Sequence, residues 1–216
     1  MVCLKMAENL VSSSPEPKLT ADICETAKAL GITSHGEMFS VEWMGNLAVA
    51  IYECHTEVAD SRKVSGRSLA ERILNKTAVL VPYDCDKNFE PCEKAGNTAH
   101  WALLVGFLIL SPASRCPDLM ELSAAADSEV PNLYWICDIE GVAARTISQQ
   151  HSESLYVFAL HGKSKHPGVW PLHSLLRSNQ NLVDYSHSKV LENAFRLPPG
   201  GVEEGLRNKL LLLSHK

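Results

Sequence analysis

His100 is the residue of this 216-residue chain whose type and position are best suited to catalysis. It follows the turn-forming pair Gly96-Asn97 and stands in a run of small and apolar residues, Ala99 to Gly106, that predicts a buried strand. A strand holds an imidazole in a defined orientation, and the loop before it leaves one side of the ring open to a substrate. That is the position a general base requires. The alternative is a histidine whose ring is tied to a loop carbonyl.

Two further groups of residues are candidates for a site. Cys85, Cys92 and His100 offer three zinc ligands, but their spacing matches no compact zinc motif and a fourth ligand is not evident. We therefore expect no metal. The segment 37–39, just ahead of Ser40, is either a turn with an apolar anchor before a helix or the lip of a substrate groove.

The composition excludes several classes of protein. Apolar residues make up 45% of the chain and charged residues 21%, as in an average globular protein. The net charge is −5, so binding to nucleic acid or to an anionic membrane surface is not expected. The first residues lack the apolar core of a signal peptide. The seven cysteines are unevenly spaced, which is typical of reduced thiols, and we expect a cytoplasmic protein.

Helical periodicity dominates the first third of the chain, and strand-like runs follow. Amphipathic helices are predicted for residues 2–11, 20–30 and 41–51, with Thr20 and Ser40 as N-caps and Gly31 as a C-terminal stop. A Ser68–Glu71 capping box predicts one more short helix. Strands are predicted at 78–83, 99–110, 133–137, 154–160 and 210–213, with a long surface loop at 111–131. This order predicts an α+β fold, with N-terminal helices packed on a mostly antiparallel sheet, in a single domain over residues 1–216.

Five short blocks of the sequence share their order and spacing with a known family. They are Gly36-Glu37-Met38-Phe39-Ser40-Val41 with Met44-Gly45, Pro82-Tyr83-Asp84, Glu90-Pro91-Cys92, Ala99-His100-Trp101-Ala102 and Pro199-Gly200-Gly201-Val202. Together they resemble the actin maturation protease family over nearly the whole chain, most weakly at 53–67 and 111–150.

The resemblance implies a papain-like cysteine peptidase fold and a cytosolic aminopeptidase without a cofactor. Its implied substrate is immature actin, from which it removes the acetylated N-terminal Cys or Met. The implied base is His100, and the residues expected to contact the substrate are Glu37, Met38, Phe39 and Trp101.

The nucleophile that the resemblance implies is a cysteine at the start of a helix, where the helix dipole lowers the thiol pKa. Met1–Ala7 match the family motif from just after its Cys-Gly pair. The catalytic cysteine is therefore expected two positions before Met1, outside this chain, in a domain that is N-terminally incomplete. A first helix without an N-cap agrees with this expectation. Within the chain, Cys3 is the substitute nucleophile, although it stands where the motif has an alanine.

The group that orients the histidine also departs from the family. The family's Trp-Asp pair corresponds here to Trp170-Pro171, and Asn179 and Asn181 are the alternatives. Three functions stay open: an actin-processing peptidase, a non-catalytic member that binds actin N-termini or another partner, and a papain-like hydrolase with another substrate.

Overall fold

An antiparallel sheet of seven strands forms the centre of the protein in a computed structural model that describes residues 1–14, 16–110, 124–136 and 154–216. The strands are β1 (His55–Asp60), β2 (Ala78–Cys85), β3 (Pro91–Cys92), β4 (Ala99–Ile109), β5 (Ala124–Ala126), β6 (Tyr134–Ile136), β7 (Leu155–Leu160), β8 (Gly168–Pro171) and β9 (Lys209–Ser214). The order across the large sheet is β1-β9-β2-β4-β7-β8, with β3 on β2, whereas β5 and β6 form a separate pair. The predicted α+β class and mostly antiparallel sheet are confirmed.

Helices cover both faces of the large sheet. They are α1 (Val2–Met6), α2 (Glu8–Val11), α3 (Thr20–Ala29), α4 (Val41–Tyr52), α5 (Gly66–Leu74), α6 (Leu172–Gln180), α7 (His187–Asn193) and α8 (Gly201–Leu206). Residues of α1–α4 and α8 share one apolar core with the first face, and residues of α5 and α6 share another with the second face. Because both faces are covered, β2 is buried along its whole length, and its first six residues, 78–83, are an apolar run.

Side-chain alternation along β4 decides which core each residue meets. Trp101 and Leu103 pack on the first core, and Ala102 and Leu104 belong to the second. Successive side chains of a strand point to opposite faces, so the side chain of His100 leaves β4 on the second face. The helix α1 lies on the other face.

Two of the three residues predicted to begin or end α3 and α4 are confirmed. Ser40 caps α4, where its hydroxyl accepts a hydrogen bond from Trp43 N at 3.2 Å. Gly31 follows α3 with a φ of 69°, a left-handed conformation that favours glycine. Thr20 was predicted to cap α3, but it is the first residue inside that helix and caps nothing with its side chain.

Three other local predictions need correction. The helix predicted at residues 2–11 packs on the sheet as expected but is broken at Ala7 into α1 and α2. The cap of α5 is Ser65, whose partner in the capping box is Ser68. Residues 124–126, placed in a surface loop by sequence, form β5, and residues 111–123 of that loop lie outside the described residues.

Candidate active site

His100 lies near the start of β4, opposite Tyr83 of β2, and its side chain is half-buried. Its Nδ1 is 3.1 Å from the carbonyl oxygen of Ala99. Burial lowers the pKa of His100, and the nearby charges of Lys163 and His161 lower it further, against the opposing effect of the Ala99 hydrogen bond. A lowered pKa keeps the ring neutral near pH 7, which is the protonation state of a general base.

The loop that leads into His100 is held by the buried carboxylate of Asp84. Its Oδ2 accepts hydrogen bonds from Lys94 N at 2.9 Å and Gly96 N at 2.7 Å. Its Oδ1 accepts from Thr98 N at 2.9 Å and from Thr98 Oγ1 at 3.2 Å. Four donors on one charged group leave the loop little freedom, so Asp84 determines where β4 starts and thereby where His100 stands.

The carboxylate of Glu37 is occupied by its own loop and its surroundings. It accepts hydrogen bonds from Thr33 Oγ1, Ser34 N, His35 N and Arg196 N at 2.7–3.0 Å. Burial on its own raises the pKa of Glu37, but these hydrogen bonds outweigh burial and leave the pKa lowered. In this structure Glu37 orders the loop.

Of the other residues expected to contact the substrate, Met38 and Phe39 are buried and Trp101 is half-buried. The indole Nε1 of Trp101 donates to the carbonyl oxygen of Met38 at 2.9 Å. Phe39 packs against the ring of Tyr185 at a centroid distance of 5.0 Å. The structure thus brings segment 37–39 and Trp101 together, and their contact with a substrate stays a prediction.

Cys3 is part of the packing between α1 and the sheet. Its Sγ donates to the carbonyl oxygen of Trp101 at 3.0 Å. The same Sγ lies 3.8 Å from the carbonyl oxygen of Leu160, the last residue of β7. Burial raises the pKa of Cys3 to about 11, against a smaller opposite effect of the terminal ammonium group. A thiol with that pKa is protonated near pH 7 and is a poor nucleophile.

The two asparagines suggested as orienting groups are engaged elsewhere. Asn179 is fully buried: its Oδ1 accepts from Ser61 Oγ at 2.7 Å, and its Nδ2 donates to the carbonyls of Pro82, Leu206 and Lys209. Asn181 Oδ1 accepts from Ala95 N at 2.7 Å. Both hold backbone segments in place. Among the described residues, the His100 ring bonds only to the Ala99 carbonyl.

His161 is a neighbour of His100 that sequence reasoning missed. It directly follows β7, whose last residue, Leu160, pairs with Leu103 of β4. Its ring lies 5.6 Å from the rings of both Phe89 and Trp170. A histidine after a strand has no distinctive local signal, because only the pairing of β7 with β4 brings it beside His100.

Metal ligation finds no support in the part of the chain that the structure describes. No group of three or more His, Cys, Asp or Glu side chains there could hold a metal ion. Among the same residues, no helix is long and apolar enough to cross a membrane.

The fold and the site define an α+β protein with a half-buried histidine near the start of a central strand. Residues 1–108, half of the chain, match the family described as "Actin maturation protease-like, C-terminal domain". The chain belongs to this family. No solved structure matches it significantly.

Several curated proteins named "Actin maturation protease" are similar to this chain over almost its full length. The protein of Mus musculus is 34% identical over 221 residues, which are 99% of this chain and 58% of that protein. The protein of Danio rerio is 32% identical, with 99% and 68% covered, and that of Homo sapiens is 31% identical, with 99% and 60% covered. The chain therefore spans only about three fifths to two thirds of these relatives.

Proposed function

We propose that this chain forms most of a papain-like cysteine peptidase domain that removes the acetylated N-terminal Cys or Met of immature actin in the cytoplasm. The names of the relatives support a role in actin maturation. The observation that carries the proposal is His100, which is half-buried near the start of β4, directly after the loop that the Asp84 carboxylate holds, and whose pKa is lowered by burial.

In this proposal the nucleophile is a cysteine two positions before Met1, supplied by the longer protein. Cys3 is a poor substitute because its thiol is buried and bonded to the Trp101 carbonyl. Since α1 packs on the first face and His100 leaves β4 on the second, the upstream segment must pass around the end of the sheet where β4 begins.

The chemistry follows from the two groups. His100 takes the proton of the thiol, and the resulting thiolate attacks the carbonyl carbon of the acetylated first residue. The imidazolium then gives that proton to the amine of the second residue as the peptide bond breaks, which leaves a thioester. Water, deprotonated by His100, hydrolyses the thioester and releases the acetylated amino acid.

The test is hydrolysis of an N-acetylated actin peptide by the longer protein that contains this chain. We expect His100→Ala to lower turnover by about 10²- to 10⁴-fold, the usual contribution of a general base. Cys3→Ala is expected to leave turnover unchanged, and His173→Ala, at an exposed position of α6, is the matched histidine control. Turnover that survives His100→Ala, or that disappears with Cys3→Ala in a folded protein, contradicts the assignment.

A non-catalytic member of the family is the second candidate. The observation in its favour is that no orienting side chain bonds to the His100 ring within the described residues. By the resemblance, Pro171 also corresponds to the family's aspartate. Such a protein binds the actin peptide without cleaving it. Binding of the peptide together with complete absence of turnover in the longer protein would select this candidate.

A further inference from the structure

The first turn of α1 packs directly on the turn that follows β7. A Cβ atom added to Gly162 would lie 2.8 Å from Cγ1 of Val2 and 3.2 Å from its Cβ, and the first distance is too short for any real Cβ contact. Gly162 also has a φ of 72°, a left-handed conformation that favours glycine. The helix can therefore approach this closely only because residue 162 has no side chain.

Cys3 fixes the same turn of α1 to the ends of two strands. Its Sγ donates to the carbonyl oxygen of Trp101 in β4 and lies 3.8 Å from that of Leu160, the last residue of β7. Trp101 directly follows His100, and Leu160 directly precedes His161. The first turn of α1 thus lies at the end of the sheet that carries both histidines.

These contacts determine where the chain ahead of Met1 reaches the sheet. The proposed cysteine is two positions before Met1 and so three before Val2. Its Cα is about 5 Å from that of Val2 if the helix continues and about 11 Å away if the segment is extended. Over so short a segment, a displacement of Val2 displaces the cysteine too. A misplacement of about 1 Å between reacting groups can cost about 10²-fold in rate.

We propose that Gly162 is a positioning residue for the nucleophile. By leaving room for Val2, it fixes the start of α1 against the turn after β7 and so sets the distance from the upstream cysteine to His100. In this role Gly162 touches no reacting atom and acts through α1 alone. The inference rests on the proposed function for the identity of the nucleophile.

The first test is Gly162→Ala in the longer protein. The new methyl group must push Val2 away, so we expect kcat for the N-acetylated actin peptide to fall by about 10- to 100-fold. KM should stay nearly unchanged, because the substrate's own contacts are not moved. Gly31→Ala is the matched control: Gly31 has a φ of 69°, and a Cβ there meets nothing within 4 Å. Equal kcat values for the two variants would overturn the proposal.

Val2→Ala is the compensating change. It removes Cγ1, the atom nearest to the new methyl group, and alanine favours helix. We expect Gly162→Ala combined with Val2→Ala to recover most of the lost kcat, and Val2→Ala alone to change kcat little. A double variant as slow as Gly162→Ala would overturn the proposal, because the loss would then not pass through the contact with Val2.

Cys3 reports the packing of α1 without any need for turnover. Its thiol is buried between α1 and the sheet, so a displaced helix exposes it. We expect iodoacetamide to label Cys3 faster in Gly162→Ala than in Gly31→Ala, as measured by mass spectrometry of the peptide that contains Cys3. Equal labelling rates in the two variants would overturn the proposal.

Alkylation of the upstream cysteine separates this inference from the proposed function. A thiol paired with a histidine ionises at a lower pH than a free thiol, so Gly162→Ala should shift its alkylation profile to higher pH, and adding Val2→Ala should restore it. A shifted and restored profile in a longer protein without turnover supports the positioning role and counts against the peptidase. Turnover that Gly162→Ala leaves unchanged supports the peptidase and overturns the positioning role.

Discussion

Asp84→Asn tests how the loop in front of His100 is held. Asp84 has no exposed surface, and each of its two carboxylate oxygens accepts two hydrogen bonds from residues 94–98. An amide has one oxygen and one NH₂ group. An NH₂ group turned toward Lys94 N and Gly96 N loses both hydrogen bonds, whereas one turned toward Thr98 loses only the bond from Thr98 N, because the Thr98 hydroxyl can accept from it. In either orientation the charge that strengthens the remaining bonds is removed.

The expected cost follows from these contacts. A hydrogen bond to a charged group contributes about 1.5–3 kcal/mol, so losing at least one lowers the free energy of unfolding by at least about 1.5–3 kcal/mol. Typical domains have about 5–15 kcal/mol in total, so the variant should lose a substantial part of its stability. Asp86→Asn is the matched control, because Asp86 accepts from Asn88 N and Glu90 N through Oδ1 alone and an amide oxygen can replace it.

The measurement is urea denaturation of both variants beside the parent chain. We expect a large fall in the denaturation midpoint for Asp84→Asn and a change within about 1 kcal/mol for Asp86→Asn. Hydrogen exchange should show that the amides of Gly96 and Thr98 lose protection in Asp84→Asn even at low urea. Equal and small effects of the two substitutions would refute the account of how the loop is held.

Three further substitutions probe other parts of the structure. Cys3→Ala should lower the free energy of unfolding by about 1–2 kcal/mol, because the Trp101 carbonyl loses its donor, and a denaturation midpoint equal to that of the parent would contradict this. Burial lowers the pKa of His161, so the unfolded chain takes up this proton first and stability falls as the pH drops below about 6.5. His161→Gln should therefore show a shallower fall between pH 6.5 and 5, measured by thermal unfolding, and parallel curves would exclude it. Asn179→Ala should cost about 2–4 kcal/mol, against about 1 kcal/mol for Asn181→Ala, which loses a single described bond; equal losses of stability would argue against the central role of Asn179.

The two central strands, β2 and β4, were predicted because each contains an apolar run whose side chains enter two cores, and such runs are visible in the sequence. β1 and β8 were missed. β1 is an exposed strand at the edge of the sheet with the polar sequence His-Thr-Glu-Val-Ala-Asp, and β8 is four residues long and contains a glycine and a proline.

Helix boundaries depend on hydrogen bonds that sequence specifies only partly. Ser40 was a clear cap because an apolar helical face begins directly after it, and the structure confirms it. At α5, the sequence predicted Ser68 as the N-cap. The N-cap in the structure is Ser65, three residues earlier, because its side chain accepts a hydrogen bond from the backbone N–H of Ser68. The break at Ala7 had no signal, because alanine favours helix.

The sequence by itself determined the α+β class, the strand that carries His100 near its start, and the resemblance that indicates the family. These depend on local periodicity and on motifs, both of which are written along the chain. The tertiary structure decided which groups stand around His100. It placed His161 and Lys163 beside that ring through the pairing of β7 with β4, and it gave Asp84 its four donors. Strand pairing joins residues about 60 positions apart, and no local pattern of residue types encodes which strands will be neighbours.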